Sequence, residues 1–309
     1  SPSAVLFMPD LAAAAASRGD RHPLRCCIES GLAVRIRYLG SMAGLFAILS
    51  PAKTLDMAAT LSANTGQSSR PRLGGRTRQL AAQLEGYSPK KLASLMSLSP
   101  KLADLNVERW SSFGSRTNPR ATAASCFRGD VYQGLEAWTM KAPALKWAQQ
   151  RVRILSGLYG LLRPLDVIQP YRLEMGTRLT TYVGKDLYAF WGKELSQTLK
   201  KDMKVAKADT LVNLASDEYS KAAQLGEIGL DVVDVKFLQR DGGKLKFISF
   251  FAKRARGLMA RWMADNRPRT VADLSKFDLE GYRLQAREGN EQLMVFSRPR
   301  PVGARKKAS

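Results

Sequence analysis

The residues best suited to chemistry stand in a few short polar clusters. Ser50-Pro51-Ala52-Lys53-Thr54-Leu55-Asp56 puts a cation and two hydroxyls directly after an apolar run. Anion sites form at such strand ends. The segment lacks the glycines of a P-loop, and a turn with a solvated lysine is the plainer reading of its spacing. Phe127-Arg128-Gly129-Asp130-Val131-Tyr132-Gln133-Gly134 frames a basic, an acidic and a phenolic group between glycines. Arg128 could grip a phosphate bidentately, and Asp130 could bind a metal or pair with Arg128. A turn with a salt bridge explains the same residues.

Two further segments carry polar clusters. Ile154-Leu155-Ser156-Gly157-Leu158-Tyr159-Gly160, followed by Arg163-Pro164-Leu165-Asp166, places Gly157 and Gly160 after a helical stretch. Free backbone N–H groups at such a turn can hold a phosphate, which is the outline of a helix–hairpin–helix. A helix C-cap at Gly157 and a tight turn is the alternative. Ser216-Asp217-Glu218-Tyr219-Ser220-Lys221 follows a buried strand. Its carboxylates either meet a metal or start a helix capped by Ser216. Adjacent acids seldom face one way on a helix, so capping is preferred.

The helix expected from Ala252 to Asn266 is the most informative element. Ala255, Leu258, Met259, Trp262 and Met263 fall on one face; Lys253, Arg254, Arg256 and Arg261 fall on the other. One face docks while the other meets phosphates or solvent.

Among the elements that carry these clusters, Met42 to Ser50 reads as a buried first strand and Ser62 to Arg76 as a loop. Ser88-Pro89 and Ser99-Pro100 read as helix starts, with Leu92, Leu95, Met96, Leu102 and Leu105 as packing residues. Ala144 to Leu155 reads as a helix ended by Gly157. Thr210 to Ala215 reads as a buried strand. Val232 to Leu238 and Lys244 to Phe250 form a hairpin about Asp241-Gly242-Gly243. The expected fold class is mixed α/β (α+β): a single compact domain over residues 42–296 with a basic cleft. Residues 1–41 read as an extension outside the fold, disordered, with Met42 as the natural start. Residues 297–309 read as a basic disordered tail.

Charge narrows the partners. The chain has 49 Lys and Arg against 27 Asp and Glu, a net +22. Setting aside five basic and three acidic residues at the start and five basic ones at the end leaves 39 against 24, or +15, in residues 42–296. Such a surface attracts polyanions, nucleic acid first. His22 is the only histidine, and within 42–296 Cys126 is the only cysteine. A His-based triad, a Cys/His zinc site and a disulfide framework are therefore excluded there. No cofactor, no metal and no bilayer-spanning segment is expected.

Six segments together resemble the YaaA family, the bacterial peroxide stress proteins. They are Ile48–Asp56, Phe127–Tyr132, Leu155–Gly160 with Arg163–Asp166, Gln169–Gly176, Asn213–Tyr219 and Ile248–Met259. The resemblance runs from about Met42 to Phe296, and family members begin just before the Ser-Pro-Ala-Lys motif. It implies a cytoplasmic protein that limits oxidative DNA damage and lowers intracellular iron under peroxide. It also implies a basic cleft and a helix–hairpin–helix-like element that binds duplex DNA. Carried onto matching positions, the binding residues are Lys53, Arg128, Arg163, Arg172, Lys221, Lys253, Arg254 and Arg256. Ser220 departs from relatives that have an aromatic there.

The leading expectation is a DNA-binding stress protein. Gly157, Gly160 and Arg261 join the carried-over residues, and Tyr159 or Tyr171 stack on unpaired bases. The alternative is a metal-dependent enzyme acting on nucleic acid or nucleotides. Its candidates are Lys53, Asp130, Asp166, Glu174, Asp217 and Glu218. Direct iron storage ranks last, because a body of +15 is a poor cation sink.

Overall fold

A computed structural model of the chain describes residues 44–63, 68–285 and 292–301. The segment before Met42 and the proposed start itself lie outside the described residues, as do residues 302–309. Met42–Ser309 is one compact unit.

The apolar run after Met42 is strand β1 (Gly44–Leu49), buried along almost its whole length. A strand buried on both faces needs apolar residues at every position, which is the composition of a central parallel strand. The strands that follow are β2 (Thr54–Leu55), β3 (Ala121–Thr122), β4 (Phe127–Arg128), β5 (Val152–Ser156), β6 (Gly160–Leu162) and β7 (Val167–Ile168). Next come β8 (Ala208–Leu214), β9 (Asp231–Asp241), β10 (Lys244–Lys246), β11 (Arg283–Leu284) and β12 (Leu293–Pro299). The main sheet runs β11-β12-β9-β8-β1-β5-β6, with β10 paired to β9. From β12 through β9, β8 and β1 to β5 every pairing is parallel. The antiparallel strands β6, β10 and β11 add to this parallel centre. The expected mixed α/β class holds. Strand β12 continues to Pro299 and so takes in the first three residues of the expected tail.

The helices are α1 (Gly74–Glu85), α2 (Pro89–Met96), α3 (Pro100–Ser111), α4 (Ala123–Cys126) and α5 (Asp130–Leu135). They continue with α6 (Ala142–Arg151), α7 (Leu187–Trp191), α8 (Glu194–Val205), α9 (Asp217–Ala222) and α10 (Ser249–Asn266). The two Ser-Pro starts are correct, and the Ser88 hydroxyl accepts from Lys91 N at 3.3 Å. In α3, however, Leu102 and Leu105 are exposed, and Ala103, Asn106 and Trp110 face inward. The loop expected through Arg76 ends sooner, because α1 begins at Gly74.

The largest correction concerns residues 152–156. The helix expected to run to Leu155 stops at Arg151, and the next five residues are β5, paired in parallel to β1. Val152, Ile154 and Leu155 suit a fully buried strand as well as a helix, and periodicity cannot separate the two over so short a run. Gly157 and Gly160 therefore turn a β-hairpin between β5 and β6, not a helical hairpin. The hairpin is enclosed. The Gly157 carbonyl accepts from Trp191 Nε1 at 3.0 Å, and a Cβ on Gly157 would lie 2.4 Å from the Leu173 carbonyl oxygen. No phosphate reaches these glycines, and the helix–hairpin–helix expectation is overturned.

Helix α10 crosses α5 at contact distance. A Cβ on Gly257 would lie 1.7 Å from the Val131 carbonyl oxygen, and one on Gly134 would lie 2.1 Å from that of Arg254. Only glycine lets two helix backbones approach so closely. All five residues of the expected apolar face are buried. The crossing holds the far side of α10 in a set position relative to the start of α5.

Strand order locates the site. The chain leaves β1 towards β5 on one side and leaves β8 towards β9 on the other. Adjacent parallel strands whose connections diverge open a crevice at their carboxyl ends, which is where ligands bind in open α/β sheets.

Candidate functional site

The carboxyl ends of β1 and β8 meet at two serines. Ser216 N donates to Ser50 Oγ at 2.9 Å, and the two hydroxyls lie 3.3 Å apart. Ser216 occupies the N-cap position of α9, but its side chain makes no capping bond, contrary to the sequence expectation. Tyr132 of α5 donates to the Ser50 carbonyl at 3.0 Å. These groups lie under a cleft of about 280 Å³. Its floor includes the buried Tyr132, Tyr171 and Tyr219, and Tyr171 Oη is 2.7 Å from Ser156 Oγ. Burial pushes all three phenols above their usual range, so they stay protonated.

The walls come from the segments after β1 and β7, the β2–β4 pair and helices α5, α9 and α10. After β1, Lys53 Nζ meets Glu174 at 2.6 Å, and Arg172 reaches the other Glu174 oxygen at 3.4 Å. Arg172 Nε is buried and has no hydrogen-bond partner. The β2–β4 pair sets Arg128 opposite Thr54. Arg128 donates to the Ser125 carbonyl at 2.6 Å, approaches Asp56 at 3.4 Å and lies 4.6 Å from the Trp138 ring centroid. Asp130 begins α5 and has no hydrogen bond or ion pair among the described residues. Glu218 of α9 accepts from Gly176 N at 2.8 Å.

Lys253 and Arg256, three residues apart on α10, complete the lining. Neither side chain has a hydrogen bond or salt bridge among the described residues. Burial lowers the Arg256 pKa from its ordinary value, and the charge of Asp217 opposes that shift. The lining thus holds five cations (Lys53, Arg128, Arg172, Lys253 and Arg256) against three carboxylates (Asp130, Glu174 and Glu218).

The other candidates lie elsewhere. Arg163 is held by the fully buried Asp166 at 2.9 Å and donates to the Arg70 carbonyl, a structural role for both residues. Arg254 meets Glu280 at 2.7 Å and the Gln133 carbonyl at 3.0 Å. Arg261 meets Asp265, Thr139 and the Glu136 carbonyl. The outward basic face of α10 is therefore divided: two cations bind neighbouring elements, and two face the cleft. Lys221 and Asp217 sit on a separate open surface, where Lys221 Nζ lies 5.1 Å from the Tyr188 ring centroid. Tyr159 and Tyr171 are buried and hydrogen-bonded, so neither can stack on a base.

Sequence reasoning named the Ser50 hydroxyl and the Tyr132 phenol only within their own clusters and read Ser216 as a cap; it missed Tyr219 and the meeting of the two serines. The signal was present in one respect: both serines end apolar runs that become neighbouring strands. Among the described residues no three His, Cys, Asp or Glu stand close enough to hold a metal ion. No helix among them is long and apolar enough to cross a membrane.

The family model described as peroxide stress protein YaaA matches residues 45–288. A UPF0246 protein of Marinomonas sp. (strain MWYL1) is 45% identical over 262 residues, covering 84% of this chain and 99% of the relative. A UPF0246 protein of Phenylobacterium zucineum (strain HLK1) is 47% identical over 259 residues, covering 82% and 95%. One from Janthinobacterium sp. (strain Marseille) is 45% identical over 253 residues, covering 81% and 97%.

Proposed function

Because the chain belongs to the peroxide stress protein YaaA family, we propose that it serves the oxidative stress response by binding DNA, led by phosphate contacts from cations at the rim of the strand-end cleft. One observation carries this reading. Exposed Lys253 faces the cleft with no side-chain hydrogen bond or salt bridge among the described residues, beside the exposed Lys53. Cations already spent on internal carboxylates contribute little to a polyanion; unpaired ones release counterions from it. The net +15 of residues 42–296 supplies the long-range attraction.

Two exposed aromatics, Phe247 and Phe250, stand in the chain between β10 and Lys253. They take the stacking role once expected of Tyr159 and Tyr171, and they favour DNA with unpaired bases. Protection of DNA is direct in this reading, in the cytoplasm, and the effect on free iron is secondary. A resident carboxylate metal site is not part of it, since the cleft carboxylates are spread over different walls and two of the three are already bonded.

The test is fluorescence anisotropy of the full chain with labelled duplex, bubble and single-stranded DNA across a salt series. A steep fall of log K with log salt is expected, with a slope of about −0.9 per phosphate neutralised. Lys253→Glu should weaken binding to every sequence and reduce the slope by about one. Phe247→Ala with Phe250→Ala should remove the preference for the bubble. Unchanged duplex affinity of the lysine variant at low salt would overturn the reading.

A further inference from the structure

The rim and the floor of the cleft differ in what can reach them. A duplex presents a convex backbone and can touch Lys53, which is 61% exposed, and Lys253. It cannot reach the level of Tyr132 at 1% or Tyr171 at 4%. Two deep cations are under-bonded. Arg172 keeps a buried Nε without a partner, and the Arg256 side chain has no hydrogen bond or salt bridge among the described residues. A guanidinium offers five N–H donors in a planar fork suited to phosphate or carboxylate oxygens. Two such groups in one recess, with Lys53 and Lys253 above them, suit a dianion better than a single carboxylate.

A bare dianion would nevertheless meet Asp130 across the same space. That carboxylate is unpaired and needs hydrogen-bond donors. Pro51, Ala52, Val131 and Leu173 line the cleft with apolar atoms on which a flat ring could lie. The cleft volume of about 280 Å³ stands near the lower end of small-ligand pockets, roughly 300 Å³. A ligand with a phosphate at one end, hydroxyl or amino donors in the middle and a planar ring satisfies all of these demands.

We propose that the floor of this cleft binds one nucleoside monophosphate unit, its phosphate on Arg172 and Arg256 and its donor groups on Asp130. This goes beyond the DNA reading, which concerns the rim. The unit comes either as a free nucleotide or as the phosphorylated end of a strand.

Isothermal titration of the full chain tests it with four kinds of probe. These are the four common nucleoside 5′-monophosphates, the corresponding nucleosides, inorganic phosphate, and a short single strand with or without a 5′-phosphate. Saturable binding of at least one monophosphate is expected, at least tenfold tighter than its nucleoside and than inorganic phosphate. Arg256→Gln should weaken it at least tenfold with an unchanged thermal unfolding midpoint, and Arg256→Lys should restore part of the loss. A free monophosphate that outcompetes the phosphorylated strand assigns the site to a metabolite; the reverse order, dependent on the 5′-phosphate, assigns it to a strand end. Both support the proposal. No saturable monophosphate binding, equal affinity for inorganic phosphate, or undiminished binding by a folded Arg256→Gln would each overturn it. Duplex binding without monophosphate binding removes this proposal alone, and monophosphate binding without duplex binding removes the rim reading alone.

Discussion

Cys126 is the one thiol in residues 42–296 and the obvious candidate for sensing peroxide. It is buried at the end of α4, and burial pushes its pKa up to about 12, with Arg128 offsetting only part. The thiolate is the reactive form, so the folded protein should resist alkylation at pH 8. Iodoacetamide labelling of Cys126, read by peptide mass mapping apart from Cys26 and Cys27, should be negligible without denaturant and rise through the urea transition; rapid labelling of Cys126 in the folded chain would show that the thiol is accessible. Asp202 illustrates the opposite case. Burial pushes its carboxyl up, but Arg72 and Arg153 outweigh this and hold it below its ordinary 3.8. A carboxylate depressed in the folded state stabilises the fold above its unfolded pKa, and that contribution is lost as pH falls through the folded value. Stability should therefore fall below about pH 3.8. Asp202→Asn leaves the buried Arg153 without its counter-charge and should cost about 3–5 kcal/mol in urea unfolding at pH 7.

At the scale of elements, the α5–α10 crossing governs the site. Helix α10 brings Lys253 and Arg256 to the cleft, and α5 brings Asp130 and Tyr132. The glycines at their crossing set the distance between these groups. Gly257→Ala forces a methyl into the Val131 carbonyl, which is backbone and cannot swing aside. Overpacking of this kind costs about 1–3 kcal/mol or more. Gly257→Ala should lower the thermal midpoint and also weaken ligand binding in the protein that remains folded. Gly75→Ala, with open space about it, should change neither. An unaltered midpoint for Gly257→Ala would mean that the helices do not pack this closely. The crossing also explains why reversing Lys253, Arg254 and Arg256 together is a poor test of binding. Arg254 holds Glu280 and the Gln133 carbonyl, so its reversal would disturb the packing itself.

For the whole molecule, the sheet order matters more than any single motif. Ser50-Pro51-Ala52-Lys53 and Ser216-Asp217-Glu218 lie far apart in the chain, and the parallel pairing of β1 with β8 brings them into contact. The excess of basic residues persists after the ends are set aside, so attraction to polyanions is a property of residues 42–296. Attraction of this kind is screened by salt, with a Debye length of about 8 Å at physiological ionic strength. Contacts at the rim should weaken sharply as salt rises, and the enclosed floor should respond less. A salt series on duplex and on monophosphate binding therefore separates the two levels of the cleft.

By itself the sequence determined the family, the first strand, the Ser-Pro helix starts, the hairpin about Gly242-Gly243 and the buried face of α10. Each rests on local periodicity, turn chemistry or motif order, which neighbouring residues express without help from distant ones. Only the tertiary structure decided that residues 152–156 are a strand, because a short apolar run takes whichever form its partner offers, and here β1 offers a parallel edge. The fate of each cation was likewise decided there. Arg163, Arg254 and Arg261 find carboxylates and carbonyls within reach, and Arg256 finds an open cleft. Charge and residue type are identical among these arginines; what distinguishes them is the arrangement of acceptors around each one, and that follows from long-range packing.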